Sequence, residues 1–544
     1  MNKGLNNIIE FIQSKKNTVF SDLLFYGLLI LSCVVVALNF EGYDLDLWAR
    51  LIAGMAVVQT GQVAKYDFMS YTPTHAWYDH EWGSGVIFYL TSLNFGAFGL
   101  LFLQILLIFL TMFFLVKTIQ TRSDNKFNYK NILIYFIILN AFMVTYHSIV
   151  RCHSFTFLFF IIELYILELI RKNGNNKLLY ILPPMFLIWG NMHGGVCSGL
   201  GLLSLYAVGE ALNKKPFKWY ILTALACFAV LFINPYGYKY VVFLIKASTM
   251  PRPEISEWWW IFHKKVYNLF IPFKFLALFY LCLECFKVKK YSFSISKTDK
   301  TKFIVMLVTL IIAVLHIKMM PFFVIVASVY CYEDIYLLFK NNKAPKWLYP
   351  CFVICLSGYL IFTLVVKNYK NLFDFKNYPI NEVEFIRANH INGKILTNFG
   401  IGSFVAYKLY PQNTIYIDGR YEEVYNNDLM SDLMSVYRMD ENAYKLFKSN
   451  PPEIIIFENK YLMYKLLQSK KSGWHLVYEG DKYGVFVCDN KYRTNFVKPN
   501  LDLNNYYKSL ILNTSITFKG ENKIDINSVN KGDYTKMVDA DILK

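Results

Sequence analysis

The sequence predicts an α-helical polytopic membrane protein of about eleven membrane helices, followed by a small extracytoplasmic α/β domain near the C-terminus. Three observations predict it. Of 544 residues, 55% are hydrophobic and 18% aromatic, and the mean hydropathy is +0.31. A soluble protein of this size cannot bury so much apolar surface, so the excess faces lipid. The net charge of +17 sits in short basic clusters between long apolar runs, the pattern of membrane-protein loops and not of a nucleic-acid surface. After Lys367 the composition changes to alternating helix and strand patterns.

Residues 1–20 form a cytoplasmic N-terminus. Lys15 and Lys16 precede an apolar stretch at 21–40 that no small-residue cleavage site follows. This predicts an uncleaved first membrane helix. Further crossings fall near 96–116, 131–147, 154–170, 178–191, 195–212, 219–234, 267–286, 303–318, 321–339 and 347–366, so the membrane domain covers 21–367. With the N-terminus inside, every inner loop is basic, for example Arg171, Lys172 and Lys177, or Lys214, Lys215 and Lys218. That satisfies the positive-inside rule and predicts a multi-pass protein of the plasma (inner) membrane. Residues 83–95 are apolar but short for a crossing, and read as an interfacial or re-entrant helix on the outer side. All cysteines but Cys488 lie in the apolar part. Cys282 and Cys285 form a CxxC inside an apolar run, which reads as helix packing.

The outer segments differ in kind. They are 41–82, Arg151-Cys152-His153, the run from Asn191 to Gly195, Asn234-Pro235-Tyr236-Gly237, the stretch around Glu254 to His263, and His316-Ile317-Lys318. Each presents one or two polar groups at one depth, so the helix ends are expected to converge on one pocket. Ionisable groups near bilayer depth cost roughly 2.5–3.5 kcal/mol each and are rarely idle.

The α/β domain covers 368–494, with strands expected at 394–399, 414–418, 453–457, 475–478 and 484–488. Helices are expected at 383–389, 403–410, 442–449 and 461–470. There is no P-loop or GxGxxG. Asn398-Phe399-Gly400-Ile401-Gly402 reads as a tight strand-to-helix turn. Residues 495–544 form a polar tail.

The first outer loop, 41–82, carries the chemistry. It begins Asp44-Leu45-Asp46-Leu47-Trp48-Ala49-Arg50 and ends Trp77-Tyr78-Asp79-His80-Glu81-Trp82, so two acidic clusters flank the membrane. Helix capping by Asp44 or Asp46 accounts for one cluster only. Sugar transfer from a phospholipid needs a carboxylate to take the acceptor's proton, cations to stabilise the leaving phosphate, and a groove for the lipid tail. Asp46, Asp44, Glu81, His80 and Asp79 are the catalytic candidates. Arg50, Arg151, His153, His193 and Lys318 are the candidates for donor phosphate. Snorkelling or helix capping is the bland alternative for each cation. Glu163, deep in an apolar helix, reads as structural. No His/Asp spacing marks a metal site, although this chemistry admits a divalent ion as cofactor.

The residues from Asp44 to Trp82 resemble the first periplasmic loop of bacterial membrane proteins related to GT-C glycosyltransferases, the class of protein O-mannosyltransferases and the lipid A aminoarabinose transferase. Asp44, Asp46, Leu47, Trp48, Leu51, Gly54, Gly61, Asp67, Ser70, Tyr71, Thr72, His80, Glu81 and Trp82 carry the match. Trp189, Asn191, His193, Gly194, Gly195, the Asn234-Pro235-Tyr236-Gly237 turn, Glu257-Trp258 and Asp418-Gly419-Arg420 extend it over most of 20–490. The resemblance implies a GT-C-like fold and a first-loop aspartate as base, Asp46 with Asp44 as rival. It adds Glu257, Asp418 and Arg420 to the site. It also implies a polyprenyl-phosphate-linked sugar as donor and a glycan, lipid or protein as acceptor. Ala49 and Arg50 stand where the group has Trp-His, and Lys318 where an Arg is usual. Arg50 beside Asp46 is expected to lower its pKa. A lipid-glycan flippase needs ionisable residues through the bilayer and matched halves, and neither is evident. A non-catalytic assembly or sensor protein is the third reading.

Overall fold

A computed structural model describes residues 21–38, 43–123, 150–266, 268–290, 299–339, 345, 347–366, 377–469 and 472–499. The expected crossing at 131–147, the N-terminal 1–20 and the tail beyond 499 lie outside them. Five helices are long and apolar enough to cross a membrane on their own: Ser21–Leu38 (α1), Trp82–Ser123, His153–Asn173, Ile317–Tyr336 and Leu348–Val366. Helices Leu182–Met192, Val196–Leu212, Lys218–Val230, Ile271–Lys290 and Lys300–Leu315 stand at the other described crossings.

Leu47–Thr60 (α2) follows α1 and ends on Gly61 in the left-handed region. It packs on the first part of Trp82–Ser123 (α3). The approach is possible because both surfaces are glycine. A Cβ on Gly54 would lie 2.1 Å from the Gly85 carbonyl oxygen, and one on Gly85 2.7 Å from that of Arg50. α3 breaks at Gly96, with φ 61° and ψ −151°, a backbone region open almost only to glycine. The break separates the short apolar segment 83–95 from the long helix beyond it.

The polar groups sit at the two ends of the helices. The far ends of α3, His153–Asn173 (α4) and Val196–Leu212 meet the start of Lys300–Leu315 in a buried ionic network. Arg171 contacts Glu168 at 3.2 Å, Glu210 at 2.8 Å and Asp299 at 2.8 Å, and Arg122 contacts Glu168 at 2.5 Å. The opposite ends carry the first-loop acids, Arg151, His193 and Lys318.

The α/β domain is a five-stranded sheet of order β2-β1-β3-β5-β4. β1 (Gly393–Thr397) pairs in parallel with β2 (Asn413–Ile415) and β3 (Ile454–Glu458). β5 (Tyr483–Cys488) runs antiparallel to β3 and to β4 (Trp474–Glu479). All five strands stand where the sequence places them, β2 being shorter than expected. The helix Asn427–Arg438 was not anticipated. The free edge of β2 is occupied by the first outer loop: Tyr71 N–H donates to the Ile415 carbonyl and Ile415 N–H to the Met69 carbonyl, both at 3.0 Å. Thr72 Oγ1 donates to the Tyr416 carbonyl at 2.7 Å. Buried Trp48 packs among Tyr378, Phe404 and Tyr407. One apolar core therefore runs from α2 through the loop into the sheet.

Candidate functional site

Asp46 is the residue before α2, but its carboxylate does not cap the helix. Asp44 Oδ1 accepts the Asp46 N–H at 3.0 Å instead, which leaves the Asp46 side chain 43% exposed against 12% for Asp44. Both reach Arg151: its Nε lies 3.2 Å from Asp44 and its Nη2 3.1 Å from Asp46, while Nη1 contacts Glu257 at 2.7 Å. Burial, then the neighbouring carboxylate of Asp44, push the Asp46 pKa up to about 7 against the pull of Arg151. Water reaching the open face screens part of that push.

This corrects the expectation for Arg50. Its guanidinium is turned away from Asp46 and taken by three carboxylates: Asp79 at 2.6 Å, Glu81 at 3.0 Å and Glu423 at 2.6 Å. Only 4% of its side chain is exposed, which leaves it little surface to offer a donor phosphate. It is a strut. Burial opposes ionisation of Glu81, but Arg50, His80, His193 and Lys318 outweigh it and hold the pKa down to about 2.

Glu423 went unnoticed in the sequence. It accepts Trp77 Nε1–H at 2.7 Å and stands 3.4 Å from His80 Nδ1. Nothing in its local pattern, Tyr421-Glu422-Glu423-Val424, separates it from an ordinary surface acid. Gly419 was seen only as the middle of a motif. A Cβ there would lie 2.3 Å from Asp46 Oδ1, so the absence of a side chain makes room for Asp46. Its neighbours Asp418 and Arg420 are fully buried and face away from the pocket. Arg420 bonds Asp67 at 2.6 Å and Asp418 at 3.0 Å, and its Nη2 bonds the Tyr425 hydroxyl at 3.0 Å. The pair that sequence reasoning placed in the site is the joint between loop and sheet.

The remaining cations divide. His193 Nε2 lies 3.2 Å from Glu81, and burial takes its pKa down to about 3 against the pull of that carboxylate. Burial thus disfavours the charged ring at this position. The His153 ring lies 4.5 Å from that of His193, tilted by 52°, and its Nε2 has no hydrogen-bond partner among the described residues. Lys318 Nζ lies 5.2 Å above the Trp258 ring. His80, Glu81 and His193 bring donor atoms within 4.8 Å of one another, the one spacing among the described residues that suits a metal ion.

Asp44, Asp46, Arg50, Glu81, Arg151 and His153 all line one pocket of about 20 Å³. The structure thus brings the first-loop acids, Arg151 and His153 together at the pocket, with His193 on Glu81 and Lys318 on Trp258, and buries Asp418 and Arg420 elsewhere. Glu163, 0% exposed, finds no hydrogen-bond partner for either oxygen among the described residues.

The sequence matches no protein-family profile and no curated protein. The fold does match solved structures. The archaeal oligosaccharyltransferase AglB from Archaeoglobus fulgidus, in complex with an inhibitory peptide and a dolichol-phosphate, aligns with a TM-score of 0.54 at 10% identity, over 80% of this chain and 69% of that one. The Archaeoglobus fulgidus oligosaccharyltransferase tethered to an acceptor peptide containing an NVT sequon aligns with a TM-score of 0.50 at 11% identity over the same shares. These neighbours are GT-C-type glycosyltransferases, and their fold is shared.

Proposed function

We propose that this chain is a GT-C-type membrane glycosyltransferase that moves a sugar from a polyprenyl-phosphate-type donor to an acceptor at the extracytoplasmic face, with Asp46 as general base. The observation that carries the reading is the pocket itself, where Asp46 is the carboxylate left open. Asp44 serves the backbone, and Asp79 and Glu81 are committed to Arg50. A base needs an accessible oxygen and a pKa near the working pH. Asp46 offers both.

In this reading the acceptor hydroxyl oxygen attacks the anomeric carbon. The bond from that carbon to the phosphate oxygen breaks, its electron pair leaves with the phosphate, and the hydroxyl proton passes to Asp46. One base and one leaving phosphate suffice for a single, inverting displacement. Arg151, Lys318 and His153 serve the charge that gathers on phosphate, while Asp44 and Glu257 hold Arg151, and Asp79 and Glu81, with His80 beside Glu81, hold Arg50. A lipid-linked donor is supported by the dolichol-phosphate bound to the neighbour of the same fold. The extracytoplasmic side follows from the basic loops at the far helix ends.

Asp46→Asn keeps the shape and removes the base. In lipid nanodiscs, with polyprenyl-phosphate sugars as donors, the variant is expected to lose transfer by about 100-fold or more while melting like the parent. Full activity in a folded Asp46→Asn would reject Asp46 as the base.

A further inference from the structure

The spacing of His80, Glu81 and His193 invites a metal ion, but the hydrogen bonds around His193 argue against one. Its Nδ1 accepts the Gly195 N–H at 2.9 Å. The same nitrogen lies 2.7 Å from Thr156 Oγ1, which itself accepts Trp189 Nε1–H at 2.9 Å and so turns its own proton toward the ring. A ring nitrogen that accepts hydrogen bonds carries no proton, so the proton of the neutral imidazole is on Nε2, aimed at Glu81 Oε1 at 3.2 Å. A metal binds through a lone pair, and a ligating histidine donates from its other nitrogen. His193 has the reverse arrangement. The second Glu81 oxygen lies 3.0 Å from Arg50 Nε.

The adjoining pocket points the same way. At about 20 Å³ it has the room of one water or small ion, yet Arg50 and Arg151 both line it. A divalent cation there would face the Arg151 guanidinium. The acids able to ligate it, Asp44, Asp46 and Glu257, already converge on Arg151 at 3.2, 3.1 and 2.7 Å. We propose that the site works without a bound divalent cation, because the Arg151 guanidinium fills that position at the centre of three carboxylates. Among the described residues two of its five N–H groups donate hydrogen bonds, to Glu257 and Asp46, and its Nε lies 3.2 Å from Asp44. The remaining N–H groups, on a side chain 26% exposed, supply the positive charge that a metal would bring to the phosphate. The role given to phosphate rests on the transferase reading. The metal-binding claim does not.

The test is metal content and melting temperature of the full chain in nanodiscs after EDTA treatment, then with Mn²⁺, Mg²⁺ or Zn²⁺. The expected result is far less than one ion per chain, no shift in Tm with any of the three, and transfer unchanged by EDTA. Arg151→Gln removes the guanidinium and leaves the acids facing one another, so Mn²⁺ is expected to raise its Tm. A folded Arg151→Gln indifferent to Mn²⁺ counts against the proposal. Arg151→Lys keeps the charge but not the planar fork, and is expected to lose about tenfold or more in transfer. A stoichiometric ion in the parent protein, whose removal lowers Tm or transfer, overturns the proposal. Should no transfer be detected with any donor, ion content and Tm still decide it, and only the reaction assignment falls.

Discussion

At the scale of single residues, Asp46 is defined by what surrounds it. Burial and Asp44 raise its pKa to about 7, so the carboxyl is protonated below that pH and cannot accept a proton. Transfer is expected to fall as pH drops through about 7, and a rate profile flat down to pH values typical of free carboxylates would reject this. Gly419 is the second decisive position. In Gly419→Ala the new methyl would stand 2.3 Å from Asp46 Oδ1 and push the carboxylate aside. Misplacing a reacting group by about 1 Å costs on the order of 100-fold, so transfer should collapse by that order with Tm little changed. Asp46 stands out in the sequence because two acidic clusters flank the membrane helices and because its segment resembles the GT-C first loop; its role as base is what we propose. The partners of Arg50 do not stand out. Glu423 lies 373 positions away in sequence, and proximity across that distance exists only after folding.

At the scale of elements, hydrophobic periodicity located the membrane helices and strands, because lipid and core impose simple repeats on them. Asn427–Arg438 escaped notice since it sits within a polar stretch and buries only one face. The break at Gly96 is the element whose conformation depends most on one residue. Its φ of 61° with ψ of −151° excludes a Cβ at a cost of about 1–3 kcal/mol. Gly96→Ala is therefore expected to lower the melting temperature in detergent. An unchanged Tm would mean that the two halves of α3 tolerate another angle between them. The short segment 83–95 carries the Gly83, Ser84 and Gly85 contacts to α2 and the 191–192 turn. Its angle to the rest of α3 therefore bears on where Glu81 stands.

At the scale of the whole molecule, the α/β domain packs directly on the first loop and α2, in one continuous core. The expectation of a separate α/β module with a functional Asp418-Gly419-Arg420 motif was right about the fold. It could not show that Arg420 pairs inward with both Asp418 and Asp67 of the first loop. Removing one partner of a fully buried charge pair costs about 3–5 kcal/mol. Arg420→Met should accordingly lower Tm and open residues 61–75 to protease. A variant as resistant as the parent would show that the loop holds its place without the sheet. The loop strand at 69–71 extends the β2 edge, and Trp48 is locked among rings of the same domain. These contacts tie loop and sheet together, so the two are expected to move as a unit. The Ser256–Trp258 strap borders the site from another side, with Glu257 on Arg151 and Lys318 over the Trp258 ring, and substrate is expected to reach Asp46 there. Tethering the soluble domain to the first loop by an engineered crosslink should leave turnover intact, whereas pinning that strap should stop it.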